Sequence, residues 1–188
     1  MKKILIPIAQ GFEEIELVSI VDILRRAGIE TILASVFVDS LLQEGAHKII
    51  IKADESLEDI ETSYFDGIVL AGGMQGVINM RASEVLLSIL RNFHKDQKLI
   101  AAICAAPLIL DDLSLLSNDF CCYPGCEAMM KNTQAKRLEL PCHTSDSMIT
   151  GTGPAFALDF AIEILRVILG EEAKEKIQDE LLLNIRRM

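Results

Sequence analysis

The chain predicts an α/β sandwich built on a mostly parallel sheet. Short β-rich runs alternate with longer helical patterns along its whole length. Two of those runs, Gly67–Leu70 and Leu99–Ile103, read as buried strands. No linker, low-complexity tract or internal repeat interrupts the alternation, so residues 1–188 are expected to form one domain.

Lys3–Ala9 opens as a strand. Glu13–Ala27 follows as a helix with Leu17, Val18, Ile20, Val21 and Leu24 on one face, and Gly28 ends it. Thr31–Val36 is a strand and His47–Ile51 a further short one. Gly67–Leu70 runs into Gly72-Gly73, and Glu84–His94 is an amphipathic helix. Leu99–Ile103 is the central strand, and Phe120–Cys122 and Met148–Thr150 are short ones. Gly151-Thr152-Gly153-Pro154 opens a long helix reaching about Leu169. A last helix runs from Ala173 into the Leu181–Leu183 cluster.

Bulk properties remove several function classes. The chain is 51% hydrophobic and 24% charged, which suits a folded protein rather than a disordered one. A net charge of −10 without a basic stripe argues against nucleic acid or an anionic membrane as partner. The longest apolar run, Leu99 to Leu110, has 12 residues, too few to span a bilayer. Met1-Lys2-Lys3 and the apolar residues after it do not read as a signal peptide. That stretch is short, holds Pro7 and meets Glu13-Glu14. A reducing, cytoplasmic setting is therefore expected, with the five cysteines as thiols.

The chemistry centres on Leu99-Ile100-Ala101-Ala102-Ile103-Cys104-Ala105-Ala106-Pro107. A strand that stops on Cys104 and turns at once into a helix sets the sulfur at a helix N-terminus. Orphan N–H groups and the helix dipole there favour a thiolate. Small neighbours leave the sulfur approachable, and Pro107 suits the first helical turn. The segment equally fits an inert buried cysteine packed as a small hydrophobe. Parallel strands would bring three turns to one sheet edge: Ala9-Gln10-Gly11-Phe12, Ala71-Gly72-Gly73 and Ile103-Cys104-Ala105.

Taken in order, five motifs resemble the PfpI/ThiJ superfamily, close to its Parkinsonism-associated protein deglycase branch and bacterial relatives. They are Gly11-Phe12-Glu13-Glu14-Ile15-Glu16, Arg25-Arg26-Ala27-Gly28-Ile29, Leu70-Ala71-Gly72-Gly73, Ala101 to Pro107, and Gly151-Thr152-Gly153-Pro154-Ala155. The resemblance implies a flavodoxin-like three-layer sandwich, a homodimer, and Cys104 as nucleophile at a strained elbow. It also implies Glu16 beside the sulfur, with backbone N–H groups near Gly72, Gly73 and Ala105 forming an oxyanion or substrate pocket.

Acidic residues in a first helical turn are favoured by the dipole alone, which suffices for Glu13 and Glu14. Glu16 is singled out by the resemblance. A carboxyl held against a thiolate would have a raised pKa, donate to the sulfur, and serve as acid or base. Gly72 and Gly73 allow close backbone approach to a ligand. Two positions depart from the family. Tyr123 stands before Pro124 where many members carry histidine, and Thr152 stands where close relatives often carry arginine. The first departure weakens a Cys–His dyad, leaves acid–base work to Glu16, and offers the Tyr123 hydroxyl as a pocket donor. His47 and His94 read as solvated or edge residues, and His143 as part of a polar loop.

No metal and no cofactor is expected. Cys121, Cys122, Cys126 and Cys142 contain no Cys-x-x-Cys pair, and adjacent Cys121 and Cys122 would face opposite sides of a strand. The resemblance implies cysteine-dependent, glutathione-independent conversion of a small-molecule dicarbonyl such as methylglyoxal to a hydroxy acid, or deglycation of proteins. The alternatives are a redox sensor or chaperone working through oxidised Cys104, and a cysteine peptidase or amidotransferase, which needs a histidine near Cys104.

Overall fold

The apolar runs become the middle of one sheet. The computed structural model describes residues 1–37, 39–132 and 134–184. Its main strands are β1 (Lys3–Ile8), β2 (Glu30–Ser35), β5 (Glu55–Ser56), β6 (Gly67–Leu70), β7 (Leu99–Ile103), β10 (Cys142–Ser145) and β11 (Met148–Gly151). They lie in the order β10-β11-β7-β6-β1-β2-β5. Every neighbouring pair is parallel except β10 with β11. A short hairpin pairs β3 (Leu42–Glu44) with β4 (Ile50–Lys52), and a separate ribbon pairs β8 (Asp119–Phe120) with β9 (Lys136–Arg137).

Helices cover both faces, giving the expected three layers. On one side α1 (Glu14–Arg26) packs against α5 (Ala157–Leu169), with α6 (Glu171–Glu180) on α5. On the other lie α2 (Met74–Arg81), α3 (Glu84–Lys95) and α4 (Pro107–Asp112). Parallel strands need such crossovers, and their coverage explains why β6 and β7 are apolar on both faces. Leu5, Ile68, Leu70, Ile103 and Ile149 are fully buried. Each contributes roughly 1.5–3 kcal/mol by leaving water. Among the described residues no helix is long and apolar enough to cross a membrane.

Helix α1 illustrates the local rules. Glu13 caps it, Glu14 and Glu16 occupy its first turn, and Arg25 and Arg26 its last. Leu17, Ile20, Ile23 and Leu24 are buried. Val18, expected on that face, is instead half exposed beside Ile15. The apolar stripe is thus wider than the core needs.

Several elements differ from expectation. Phe120–Cys122 is not a strand: β8 ends at Phe120, and the Cys121 N–H donates to Thr150 Oγ1 rather than to a ladder partner. His47–Ile51 reduces to β4, because His47 belongs to the hairpin turn and bonds Glu14. His143 lies in strand β10, not in a loop. The stretch after Gly73 forms α2, a helix that Gly76, Val77 and Ile78 disguise by poor propensity. Pro154–Phe156 makes a 3₁₀ turn before α5, and α6 starts at Glu171 and stops before Leu181.

Candidate active site

The carboxyl ends of β1, β6, β7 and β11 share one edge, and the three expected turns meet there. The Gly76 N–H donates to the Gly11 carbonyl at 3.1 Å, and the Glu13 N–H to the Gly72 carbonyl at 3.0 Å. Gly73 caps α2 at φ +89°, a left-handed conformation that favours glycine. A Cβ there would fall 2.7 Å from the Glu13 nitrogen.

Cys104 forms the elbow. It is a non-glycine residue at φ +64°, a conformation costing about 1–3 kcal/mol unless its surroundings enforce it. Two backbone bonds do so. The Cys104 N–H donates to the Gly151 carbonyl at 3.0 Å, and the Cys104 carbonyl accepts from the Tyr123 N–H at 2.9 Å. Pro107 then begins α4 as expected. The residue is buried, at 8% exposed.

Glu16 comes from the third residue of α1 and is 0% exposed. Its Oε2 accepts the Gly72 N–H at 2.7 Å, while Oε1 has no hydrogen-bond partner. The carboxyl faces the Cys104 sulfur across Gly72. Gly72 permits the meeting: a Cβ there would lie 2.6 Å from Cys104 Cβ, 2.7 Å from Glu16 Oε2 and 3.1 Å from Cys104 Sγ.

Burial pushes the Glu16 carboxyl up to about 7, helped by the charge of Glu13 and opposed by the Gly72 amide and the Cys104 thiol. Burial also pushes the Cys104 thiol up, and the Glu16 charge adds to this. The amides of Gly73 and Ala105 pull the thiol the other way without prevailing. The expected net lowering of the thiol by a helix N-terminus is therefore corrected: α4 begins three residues later, and burial against a carboxylate outweighs the amides. The raised Glu16 agrees with expectation. With one proton shared, the Gly72 amide favours the carboxylate and the Gly73 and Ala105 amides favour the thiolate.

The structure brings Gly72, Gly73, Ala105, Glu16 and Cys104 together. Tyr123 joins them through its backbone; its ring lies against Gly153 and is half exposed. Thr152 turns away, its hydroxyl donating to the Leu140 carbonyl at 2.5 Å. Among the described residues no histidine hydrogen-bonds Cys104. His47 pairs with Glu14 instead, its ring Nδ1 2.9 Å from Oε2 and its backbone N–H donating to Oε1 at 2.5 Å.

Donor atoms of Glu13, Glu14 and His47 lie within 4.8 Å of one another. Their own bonds account for the cluster: Glu14 engages His47 with both oxygens, and Glu13 Oε2 accepts the Glu16 N–H at 2.7 Å. The remaining cysteines are free thiols. Burial raises Cys122 to about 12, with Cys126 and Glu127 adding to it. Burial likewise raises Cys142 to about 12. Two contributors escaped the sequence reading. Thr150 holds the Cys121 amide, and Glu13 caps the Glu16 amide; an acid at the N-cap position followed three residues later by Glu was the available signal for the second.

A buried cysteine at a positive φ thus faces a buried glutamate across a diglycine turn. The DJ-1/PfpI family matches residues 2–167. The chain belongs to the DJ-1/PfpI family. Drosophila melanogaster protein dj-1beta is 31% identical over 183 residues, covering 97% of each chain. The crystal structure of that protein superposes with a TM-score of 0.91 over 96% of this chain and 97% of its own. Oxidized Toxoplasma gondii DJ-1 is 35% identical with a TM-score of 0.89, covering 97% of this chain and 98% of that one. A Caenorhabditis elegans DJ-1/PfpI relative named glutathione-independent glyoxalase DJR-1.2 is 28% identical over 180 residues, covering 96% of this chain and 95% of its own. The chain spans 39% of the length of Arabidopsis thaliana protein DJ-1 homolog B, at 33% identity over 90% of this chain.

Proposed function

We propose that this DJ-1/PfpI protein is a cofactor-independent enzyme that converts a small dicarbonyl such as methylglyoxal to a hydroxy acid. The meeting of Cys104 and Glu16 at Gly72 carries the reading. A relative named as a glutathione-independent glyoxalase supports it.

Cys104 adds to the aldehyde carbon, and its proton passes through Glu16 to the new hydroxyl, giving a hemithioacetal. Glu16 then takes the proton from that carbon and returns it to the adjacent one, which is reduced as the first is oxidised to a thioester. Water cleaves the thioester to lactate and restores the thiol. The Gly73 and Ala105 N–H groups stabilise the oxyanion. A carboxyl poised at about 7 suits proton transfer in both directions. The Tyr123 hydroxyl donates to the outer substrate oxygen. The same attack on an early glycation adduct would give protein deglycation.

The active form is a homodimer in the cytoplasm. Ile15 and Val18 on α1, with Ile49 and Ile50 on the β3–β4 hairpin, are all at least half exposed and supply the apolar face. A cavity of about 250 Å³ beside Val18, lined also by Val21, Leu33 and Ile51, offers a seat for a second copy.

Lactate production from methylglyoxal without glutathione tests the reading. Wild type turns over, and Cys104→Ser and Glu16→Gln do not. If reduced wild type gives no lactate, the enzyme reading fails and the weight passes to oxidation of Cys104 as a redox signal.

A further inference from the structure

The bonds around Gly72 include one carboxylate that the chemistry above does not use. We propose that Glu13 is a positioning residue that holds Glu16 toward Cys104 from the helix N-cap. The inference rests on the Cys104–Glu16 reading and extends it to the residue that arranges the pair.

Three hydrogen bonds close a ring. The Glu13 N–H donates to the Gly72 carbonyl at 3.0 Å. The Gly72 N–H donates to Glu16 Oε2 at 2.7 Å. The Glu16 N–H donates to Glu13 Oε2 at 2.7 Å. In an ordinary capping box the third helical carboxyl reaches back to the N-cap amide. Here Gly72 occupies that amide, so the Glu16 carboxyl is released from capping and faces the sulfur. Glu13 thus joins α1 to the end of β6 and decides where the Glu16 side chain points.

Glu13 is buried and does not bond Cys104, so it acts through Glu16. The charged and titratable groups around the pair are few. Glu16 is faced by Cys104 from the elbow and by Glu13 from its own helix. His47, from the hairpin, lies near Glu13 and bonds Glu14. A second carboxylate beside Glu16 makes its ionisation harder, so the cap tunes the acid as well as aiming it.

The test is the pH dependence of Cys104 alkylation by iodoacetamide, read at that residue by mass spectrometry. It uses wild type, Glu13→Gln, Glu13→Ala, Glu16→Gln and the double variant Glu13→Gln/Glu16→Gln. Wild type shows an inflection that Glu16→Gln lacks. Glu13→Gln keeps an acceptor for the Glu16 amide but removes the charge. Its inflection moves to lower pH by roughly half a pH unit, with the fold retained by circular dichroism. Glu13→Ala loses the cap as well and alkylates at an altered plateau rate. In the Glu16→Gln background the Glu13 change has no effect.

A Glu13→Ala plateau rate equal to that of wild type overturns the inference while leaving the Cys104–Glu16 pair intact. An equal effect of Glu13→Gln with and without Glu16 overturns it too, because Glu13 then acts directly on the sulfur. If wild type has no inflection that Glu16→Gln removes, both the inference and the pair fall. Alkylation needs no dicarbonyl, so none of these outcomes depends on the natural substrate.

Discussion

The Gly72 N–H donates to Glu16 Oε2 at 2.7 Å, and the absence of a side chain on Gly72 lets Cys104 come up against the same carboxyl. One residue therefore both anchors the acid and clears the space for the nucleophile. Most of the site's behaviour follows from that contact.

Gly72→Ala should remove activity. The new methyl would sit 2.6 Å from Cys104 Cβ and 2.7 Å from Glu16 Oε2, and all three positions are buried. Side chain and carboxyl must separate, so lactate production should fall by about 10²-fold or more. Circular dichroism checks that the sheet survives. Retained turnover in a folded variant would show that the contact is not needed.

Stability should decline through neutral pH because of Glu16. Its folded pKa lies at about 7, above the ordinary carboxylate value of 4.5. The folded state binds the proton more tightly than the unfolded one. The stabilisation is complete below about pH 4.5 and is lost as pH rises through about 7, amounting to roughly 3 kcal/mol. Urea melts of wild type and Glu16→Gln across this window should diverge, with wild type losing more as pH rises.

Thr150→Val should loosen the elbow from behind. Thr150 is buried, and its hydroxyl accepts the Cys121 N–H at 2.9 Å. Valine keeps the shape but leaves that buried N–H unpaired, at about 1–3 kcal/mol. Two residues on, the Tyr123 N–H holds the Cys104 carbonyl. A lower melting temperature with faster hydrogen exchange at Tyr123 is the expected result.

Tyr123→Phe separates the hydroxyl from the ring. Because the ring is half exposed beside Gly153, stability should not change. Loss of one donor to substrate should lower kcat/KM by about tenfold. An unchanged kcat/KM would confine Tyr123 to its backbone bond with Cys104.

Val18→Asp should split the proposed homodimer. Val18 is 50% exposed on α1, so the change costs the protomer little while placing a charge on the apolar face. Sedimentation should show a dimer for wild type and a monomer for the variant.

Much of this was legible in the linear chain. Alternating apolar runs and helical stripes determine a mostly parallel sheet between helices, because each pattern buries its apolar side in only one way. Cys104 before Ala105-Ala106-Pro107, and Gly72-Gly73 after a buried strand, mark the turns at the sheet edge where strands end. Local order also determines Pro107 as the start of α4 and the end of α1 at Gly28, since capping and φ preferences act within a few residues.

What lies between residues distant in sequence was decided by the tertiary structure. Glu16 and Gly72 are 56 positions apart, and no local pattern says that their groups bond. Glu14 and His47 are 33 apart, so the sequence shows His47 as solvated, which it is, but not its pairing with Glu14. The direction in which the Cys104 thiol shifts was also settled there. A helix N-terminus is visible in sequence and favours a thiolate. Burial and a facing carboxyl arise only when α1, β6 and β7 pack together, and in that dry pocket they outweigh the helix.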